Sequence, residues 1–256
     1  MIEPYNYLKL LIIGNFLNIM IKTQSMKYEN LTIIGTSHIA KQSLKEVRAA
    51  IEGEKPDIIA LELDKKRAYA LMSKKKGKIS IYDIKKVGIK GFLFSLIGAW
   101  VEKKLGEYTG VSPGSEMKEA IKLAKKHKIQ IALIDQDIEI TLKRFSKSLT
   151  WKEKWNILVD ILKAVILRKK EVEFDLRTVP NKKVINKIIQ KVKKRYPSIY
   201  KVLVEERNHI MAARLQTLMD KNKEKKIVAI VGAGHEESIL KLISKSSISY
   251  SFTVTV

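Results

Sequence analysis

Four short runs of aliphatic and β-branched residues, each closing on polar side chains, constrain the fold of this chain more than any other feature. They are LTIIGTSH (31–38), PDIIALELD (56–64), IQIALIDQD (129–137) and KIVAIVGAGH (226–235). Runs of this length without polar alternation are strands buried on both faces, the condition of a parallel sheet covered by helices. Between the first two, KQSLKEVRAAIEG (41–53) has apolar residues at helical spacing and closes on glycine. The stretch reads as a βαβ unit with a right-handed crossover. The expected fold class is α/β with a mostly parallel central sheet.

The runs come in two kinds. TIIGTSHIAKQSL (32–44) and AIVGAGHEESIL (229–240) share a strand, a G-x-x-H turn and a helix, whereas ALELD (60–64) and ALIDQD (132–137) share a strand ending in acids. These pairs suggest two related halves about a pseudo-twofold axis, with long helical insertions at about 65–112 and 145–222. The first insertion is Lys-rich, is broken by Gly77, Gly88, Gly91 and Gly98, and is expected to cover the sheet or the site. VSPGSEMKEAIKLAKKHK (111–128) predicts a helix with Ser115 as N-cap and Glu116 in its first turn. Amphipathic helices are expected over 150–170 and 181–222, divided near Pro180 and Pro197. The expected organisation is an N-terminal extension, 1–26, followed by one α/β domain, 27–256, whose tail (247–256) is β-prone.

Charge limits the partners. Fifty Lys and Arg against 27 Asp and Glu give a formal +23, enough to attract nucleic acid, an anionic membrane surface or an acidic partner. The excess is spread over helical stretches such as KKVKKR (191–196), with no recognition helix or RNA-binding aromatic motif, so solvated helix faces are favoured over nucleic acid. The apolar runs at 10–21 and 91–101 are too short to span a bilayer. A cytoplasmic location is expected, with membrane-surface contact as the lesser alternative. The chain contains no cysteine, which excludes a disulfide framework, a thiolate nucleophile and a Cys-based zinc site. A Lys-rich, Cys-free composition also suits an intracellular protein from a hot environment.

The candidate chemistry lies at the strand ends. In an open parallel sheet, ligands bind beyond the carboxyl ends of the strands, where helix N-termini also point. The runs deliver His38, Glu62 with Asp64, Asp135 with Asp137, and His235 to that edge. Gly35, Gly232 and Gly234 allow a sharp exit or a close approach that would aim the following histidine over the edge. Two imidazoles and a carboxylate form a ligand set for zinc, manganese or cobalt, with water in an open position. A metal-free site with one histidine as general base remains open, as does a role for both histidines in capping helices. Arg67 stands close enough after Glu62 to stabilise an oxyanion. Arg144, Glu116, Glu206 and Arg207 are secondary candidates, and a buried ion pair is the plainer account of the last two. His127, flanked by lysines, reads as a surface residue. The chain has no H-E-x-x-H, and GAGHEES lacks the Gly-Lys-Ser/Thr ending of a phosphate loop.

The order GTSH (35–38), LELDKKRAYAL (61–71), PGSEMKEAI (113–121), LIDQDIEITLKR (133–144), EERN (205–208) and VGAGH (231–235) resembles the TraB/PrgY family, relatives of the Tiki metalloproteases and the erythromycin-esterase/ChaN-like group. The resemblance runs over residues 31–240. It implies a metal-dependent, peptidase-like site with His38, His235 and Glu62 as metal ligands, Arg67 nearby, and peptide or protein substrates. The bacterial branch implies control of peptide pheromones. Gln136 stands where relatives have the arginine of Asp-Arg-Asp, and the membrane-spanning C-terminal segment frequent in archaeal relatives is not seen. The competing expectation is a non-catalytic peptide-binding or regulatory protein that docks on a membrane through its basic face. Apolar helix faces over 150–222 are also compatible with a homodimer.

Overall fold

All four apolar runs form strands, each shorter than its sequence pattern because the terminal polar residues leave the ladder to become loops and helix caps. The computed structural model describes residues 25–36, 41–73, 92, 114–166 and 182–248. Among them β1 (Ser25–Tyr28), β2 (Leu31–Thr36), β3 (Ile58–Leu61), β4 (Gln130–Leu133) and β5 (Ile227–Gly232) make one sheet in the order β1-β2-β5-β3-β4. The last four strands are mutually parallel, and β1 is antiparallel to β2. Strand β1, absent from the expectation, lies at the sheet edge with exposed Ser25 and Lys27 alternating with half-buried Met26 and Tyr28.

Strands sharing a motif are neighbours. Ala60 and Leu61 of β3 lie opposite Ala132 and Leu133 of β4 in the matching register of the two acid-ended runs. β5 runs beside β2 with Thr36 opposite Gly232, so the two G-x-x-H motifs leave adjacent strands one residue out of step. A twofold along the strands would instead exchange β2 with β4 and β5 with β3, and so would not superpose either motif pair.

Helices cover both faces. The described helices are α1 (Lys41–Glu54), α2 (Lys65–Met72), α3 (Ser115–His127), α4 (Ile138–Ser148), α5 (Trp151–Ile166), α6 (Lys182–Arg195), α7 (Pro197–Tyr200), α8 (Glu206–Lys221) and α9 (Glu236–Ile248). On one face Ile34, Ile59, Leu61 and Ile230 pack against Val47 and Ile51 of α1 and Met117, Ala120 and Ile121 of α3. On the other, Ile33, Ala60, Ala229 and Val231 pack against Met211 and Leu215 of α8 and Ile239 and Ile243 of α9. Each fully buried Ile or Leu contributes roughly 1.5–3 kcal/mol, so this two-sided burial is what makes the strand runs continuously apolar. Residues 206–221, within the stretch read as an insertion, thus form a layer of the core.

Helix ends depart from expectation in one consistent way. Gly114, with φ 78°, caps α3 without a side-chain bond, and Ser115 is the first helical residue. α1 runs through Gly53, and the left-handed residue after it is Lys55, φ 46°. A third, smaller cluster unites Phe145 of α4, Val192 of α6, Tyr196, Ile199 of α7, and Val202 and Leu203. Residues Lys201–Glu205 form a π-helical turn between α7 and α8, and the N–H of Glu206 reaches the Lys201 carbonyl. No helix among the described residues is long and apolar enough to cross a membrane.

Candidate functional site

Helix α8 runs back towards the start of β5, so its N-terminus stands at the carboxyl edge of the sheet. Its first turn carries Arg207 and Asn208, both buried. Asn208 lies three, four and seven residues before Met211, Ala212 and Leu215, on the same buried stripe. A helix stripe that is apolar for three turns and polar at its first position places that polar side chain at the end of the core, here over the strand ends.

Arg207 is the centre of a charged ladder. Its guanidinium grips Asp135 in a fork, Nε to Oδ1 at 3.0 Å and Nη2 to Oδ2 at 2.7 Å, and Nη2 also donates to Glu62 Oε1. Nη1 donates to the Leu203 carbonyl in the π-helical turn, 3.2 Å away. Burial works against the charge of Arg207, but Asp135 and Glu62 raise its pKa above the ordinary arginine value. Asp135 also accepts from Arg67 Nη2 and from the Gln136 N–H at 2.7 Å, while its main-chain carbonyl accepts from Arg214. Burial alone would push the Asp135 carboxyl up; Arg207 and Arg67 outweigh it and hold the group well below the usual carboxylate range. Asp135 is thus a fixed anion, not a base.

Arg67 forms the rim. It lies in the first turn of α2, whose N-cap Asp64 accepts from the N–H groups of Lys66 at 2.8 Å and Arg67 at 3.0 Å. The Arg67 Nε also donates to Asp64 at 2.8 Å, so the guanidinium bridges Asp64 and Asp135 while its side chain remains a third exposed. Three carboxylates (Asp64, Asp135, Glu62) stand against three guanidiniums: Arg67, Arg207 and, on the Asp135 carbonyl, Arg214.

Glu62 faces an imidazole. Glu62 Oε2 accepts from the Gly232 N–H at 2.6 Å, and Glu62 Oε1 lies 3.5 Å from His235 Nε2. On the other side of the ring, His235 Nδ1 meets Asn208 Oδ1. An amide oxygen can only accept, so this contact places a proton on Nδ1; Nε2, facing Glu62, carries the lone pair in the neutral ring and a second proton in the charged one. The G-x-x-H turn itself closes through the His235 N–H and the Gly232 carbonyl at 2.8 Å. Gly35 is needed for close packing: a Cβ there would run into Glu236 Oε2 and lie 3.1 Å from the Ala233 Cα. The backbone of β2 therefore lets the start of α9 approach, as the glycine pattern suggested.

These residues fit a metal in part. A tetrahedral ion with bonds of about 2.0–2.2 Å holds its donors about 3.3–3.6 Å apart, and the His235–Glu62 separation matches that span. Asn208 at Nδ1 is the kind of outer partner that orients a ligating histidine. No group of three or more His, Asp or Glu suited to a metal occurs among the described residues, and the expected third ligand, His38, lies outside them.

Of the candidates, the structure gathers Glu62, Asp64, Arg67, Asp135, Arg207 and His235. Asp137 instead caps α4 through the Glu139 N–H at 2.8 Å and pairs with Lys66 at 3.1 Å. Arg144 and Glu206 pair with each other at 2.9 Å, with Arg144 more than half exposed. Glu116 is buried at the start of α3, on the opposite face of the sheet from α8. Gln136 is buried and donates to Thr141 Oγ1 at 3.0 Å. His127 is exposed. Asn208 and Arg214 were not singled out by the sequence reading; for Asn208 the signal was its position at the head of the apolar stripe.

Comparison with known proteins gives a family match over residues 19–249, to the TraB/PrgY/gumN family. The chain is 41% identical over 220 residues to the uncharacterized protein MJ1365 of Methanocaldococcus jannaschii, covering 84% of this chain and 54% of that protein. It is 22% identical over 233 residues to a TraB domain-containing protein of Homo sapiens and 23% identical to that of Bos taurus, each covering 82% of this chain and 61% of the relative. The chain therefore spans between half and two thirds of the length of these relatives.

Proposed function

From the premise that this chain belongs to the TraB/PrgY/gumN family, we propose that it is a hydrolase of peptide or protein amide bonds whose water is activated at His235. The observation that carries this reading is the buried imidazole held between Asn208 and Glu62. Asn208 keeps the proton on Nδ1, which leaves Nε2 as the base that takes a proton from water. As the ring becomes positively charged, Glu62 stabilises it, and Asn208 still accepts from Nδ1. Arg207 and the Gly232 N–H hold the Glu62 carboxylate in place. Arg67, anchored by Asp64 and Asp135 and partly exposed, is positioned to meet an oxyanion that develops outside the buried ladder.

In the alternative route a divalent Mn, Co or Zn ion would be held by His235 and Glu62, with His38 as the third ligand that the family resemblance implies, and His235 Nε2 would then be a ligand and not the base. Bound there, it would lower the pKa of its water towards neutrality and polarise the substrate carbonyl.

A second reading, a peptide-binding or regulatory module without turnover, draws on one observation: both Glu62 oxygens already accept strong hydrogen bonds, as in a structural ion network. One experiment separates the two. Peptide-library cleavage is measured with the chelated protein and after loading with each ion, alongside metal content by plasma mass spectrometry and peptide affinity by anisotropy. The hydrolase reading expects cleavage that falls about 10²–10⁴-fold in His235→Ala. Peptide affinity unchanged by His235→Ala, with no turnover under any condition, would establish the binding module.

A further inference from the structure

Helix α5 presents two faces of opposite character. Glu153, Ile157 and Asp160, at helical spacing, turn inward: Ile157 packs on the smaller apolar cluster, and Glu153 and Asp160 are buried. Trp151 and Trp155, four residues apart, turn outward and are 83% and 67% exposed. Lys152 beside them is exposed, and Lys154 lies 4.0 Å from the centre of the Trp151 ring. A two-residue link, Leu149 and Thr150, joins this turn to the end of α4, where Lys143 and Lys147 are exposed at the same four-residue spacing.

The charge of this surface is one-sided. Glu153 is the sole carboxylate between residues 140 and 155. The fold withdraws it: Oε2 accepts from the Thr150 N–H at 2.9 Å and its hydroxyl at 2.7 Å, and Oε1 from the Ser198 N–H at 2.7 Å. Arg144 is matched by Glu206, and Lys154 lies over the Trp151 ring. Solvated helix faces explain lysines; they do not explain two large aromatic side chains left in water on the same turn. Indole has an apolar body and an N–H donor, the combination that settles at the boundary between lipid headgroups and acyl chains, and lysine stems can lie along the same boundary.

We infer that the end of α4 and the first turn of α5 form a docking surface for an anionic lipid bilayer, with Trp151 and Trp155 inserted at headgroup level and Lys143, Lys147, Lys152 and Lys154 over the anionic headgroups. The chain's formal +23 supplies the long-range attraction and the indoles supply the anchor. The proposal does not depend on the chemistry at the carboxyl edge of the sheet.

The test is co-sedimentation of the whole chain with vesicles of phosphatidylcholine alone and of phosphatidylcholine with an equal share of phosphatidylglycerol, in low and high salt. Binding is expected only with the anionic vesicles, with a blue shift of tryptophan emission and weakening in high salt. The double variant W151A/W155A is expected to bind about tenfold more weakly or less, and K147E/K152E to lose most of the remaining attraction. Both substitutions lie on exposed side chains, so thermal unfolding checked alongside should be unchanged. Vesicle binding equal in W151A/W155A and the parent would overturn the proposal. So would tighter binding to single-stranded DNA, abolished by the same variants, which would assign the surface to nucleic acid.

Discussion

Two parts of this molecule set an arginine against a buried carboxylate, and they are not equivalent. In the helical lobe, Arg195 donates to Asp160 through Nε at 2.9 Å, and the buried Tyr196 hydroxyl donates to the same carboxylate. Asp160 lies on α5, Arg195 closes α6 and Tyr196 follows it, and the Arg195 side chain keeps a quarter of its surface in water. At the sheet edge, Arg207 is buried, and its partners come from the ends of β3 and β4, 145 and 72 residues away in sequence. The lobe cluster pins two helices. The edge cluster fixes Glu62 opposite an imidazole with a defined tautomer. A buried ion pair thus does not mark a site; an ion pair that places a titratable group does.

The largest effect should come from Arg207→Ala. Removing it leaves Asp135 and Glu62 buried, and Arg67 reaches only Asp135. The expected loss is about 3–5 kcal/mol, measured by urea denaturation. The same network sets a pH dependence. The folded pKa of Asp135 lies below its unfolded value, so its contribution is present above about pH 4 and is lost as the pH falls further. Stability measured from pH 7 downward should therefore drop below about pH 4 in the parent, and the drop should be smaller in Asp135→Asn. An equal acid slope in the two proteins would show that another carboxylate dominates.

Asp160→Ala should cost less, about 1–3 kcal/mol, because the orphaned Tyr196 hydroxyl is buried but Arg195 can turn to water. Peptide cleavage or binding should persist. If Asp160→Ala removed activity while the fold survived, the distinction between a pin and a site would fail.

Asn208→Ala tests the edge without removing a charge. Loss of the Nδ1 acceptor frees the tautomer and rotation of His235, and a 10- to 100-fold fall in activity or metal affinity is expected. The pH profile should shift with it. Asn208→Asp, which keeps the acceptor, should restore more than Asn208→Ala and raise the pKa of His235, seen by NMR titration. A change confined to stability would make Asn208 a packing residue.

Much of this contrast was legible before the structure, and the reason is physical. Strands covered on both faces write continuous apolar runs, and their polar ends mark the edge, so β2 to β5, Glu62, Asp135 and His235 could be read directly. SMKY, the edge strand β1, has one wet face and no such run. Arg207 and Asn208 reach the site from a helix, so no local spacing links them to the strand ends. Asp137 shows the converse: it follows β4 and caps α4 by accepting from the Glu139 N–H, a local hydrogen bond that position after a strand cannot distinguish from catalysis. His38, the partner in the first G-x-x-H, lies outside the described residues.

The smallest predicted effect comes from the residue next to the largest. Glu206 precedes Arg207 on α8, and successive helical residues point about 100° apart, so one lies half-buried against the exposed Arg144 while the other enters the core. Both belong to the EERN segment, and sequence alone gave them equal standing. Glu206→Gln should change stability by no more than about 1 kcal/mol, with the change diminishing in high salt, and should leave cleavage or binding intact. Denaturation of Glu206→Gln and Arg207→Ala side by side puts a number on the difference between a half-buried ion pair and a fully buried one inside the edge. A Glu206→Gln loss as large as that of Arg207→Ala would mean that the Arg144 pair belongs to the same cooperative unit and that the site extends along α4.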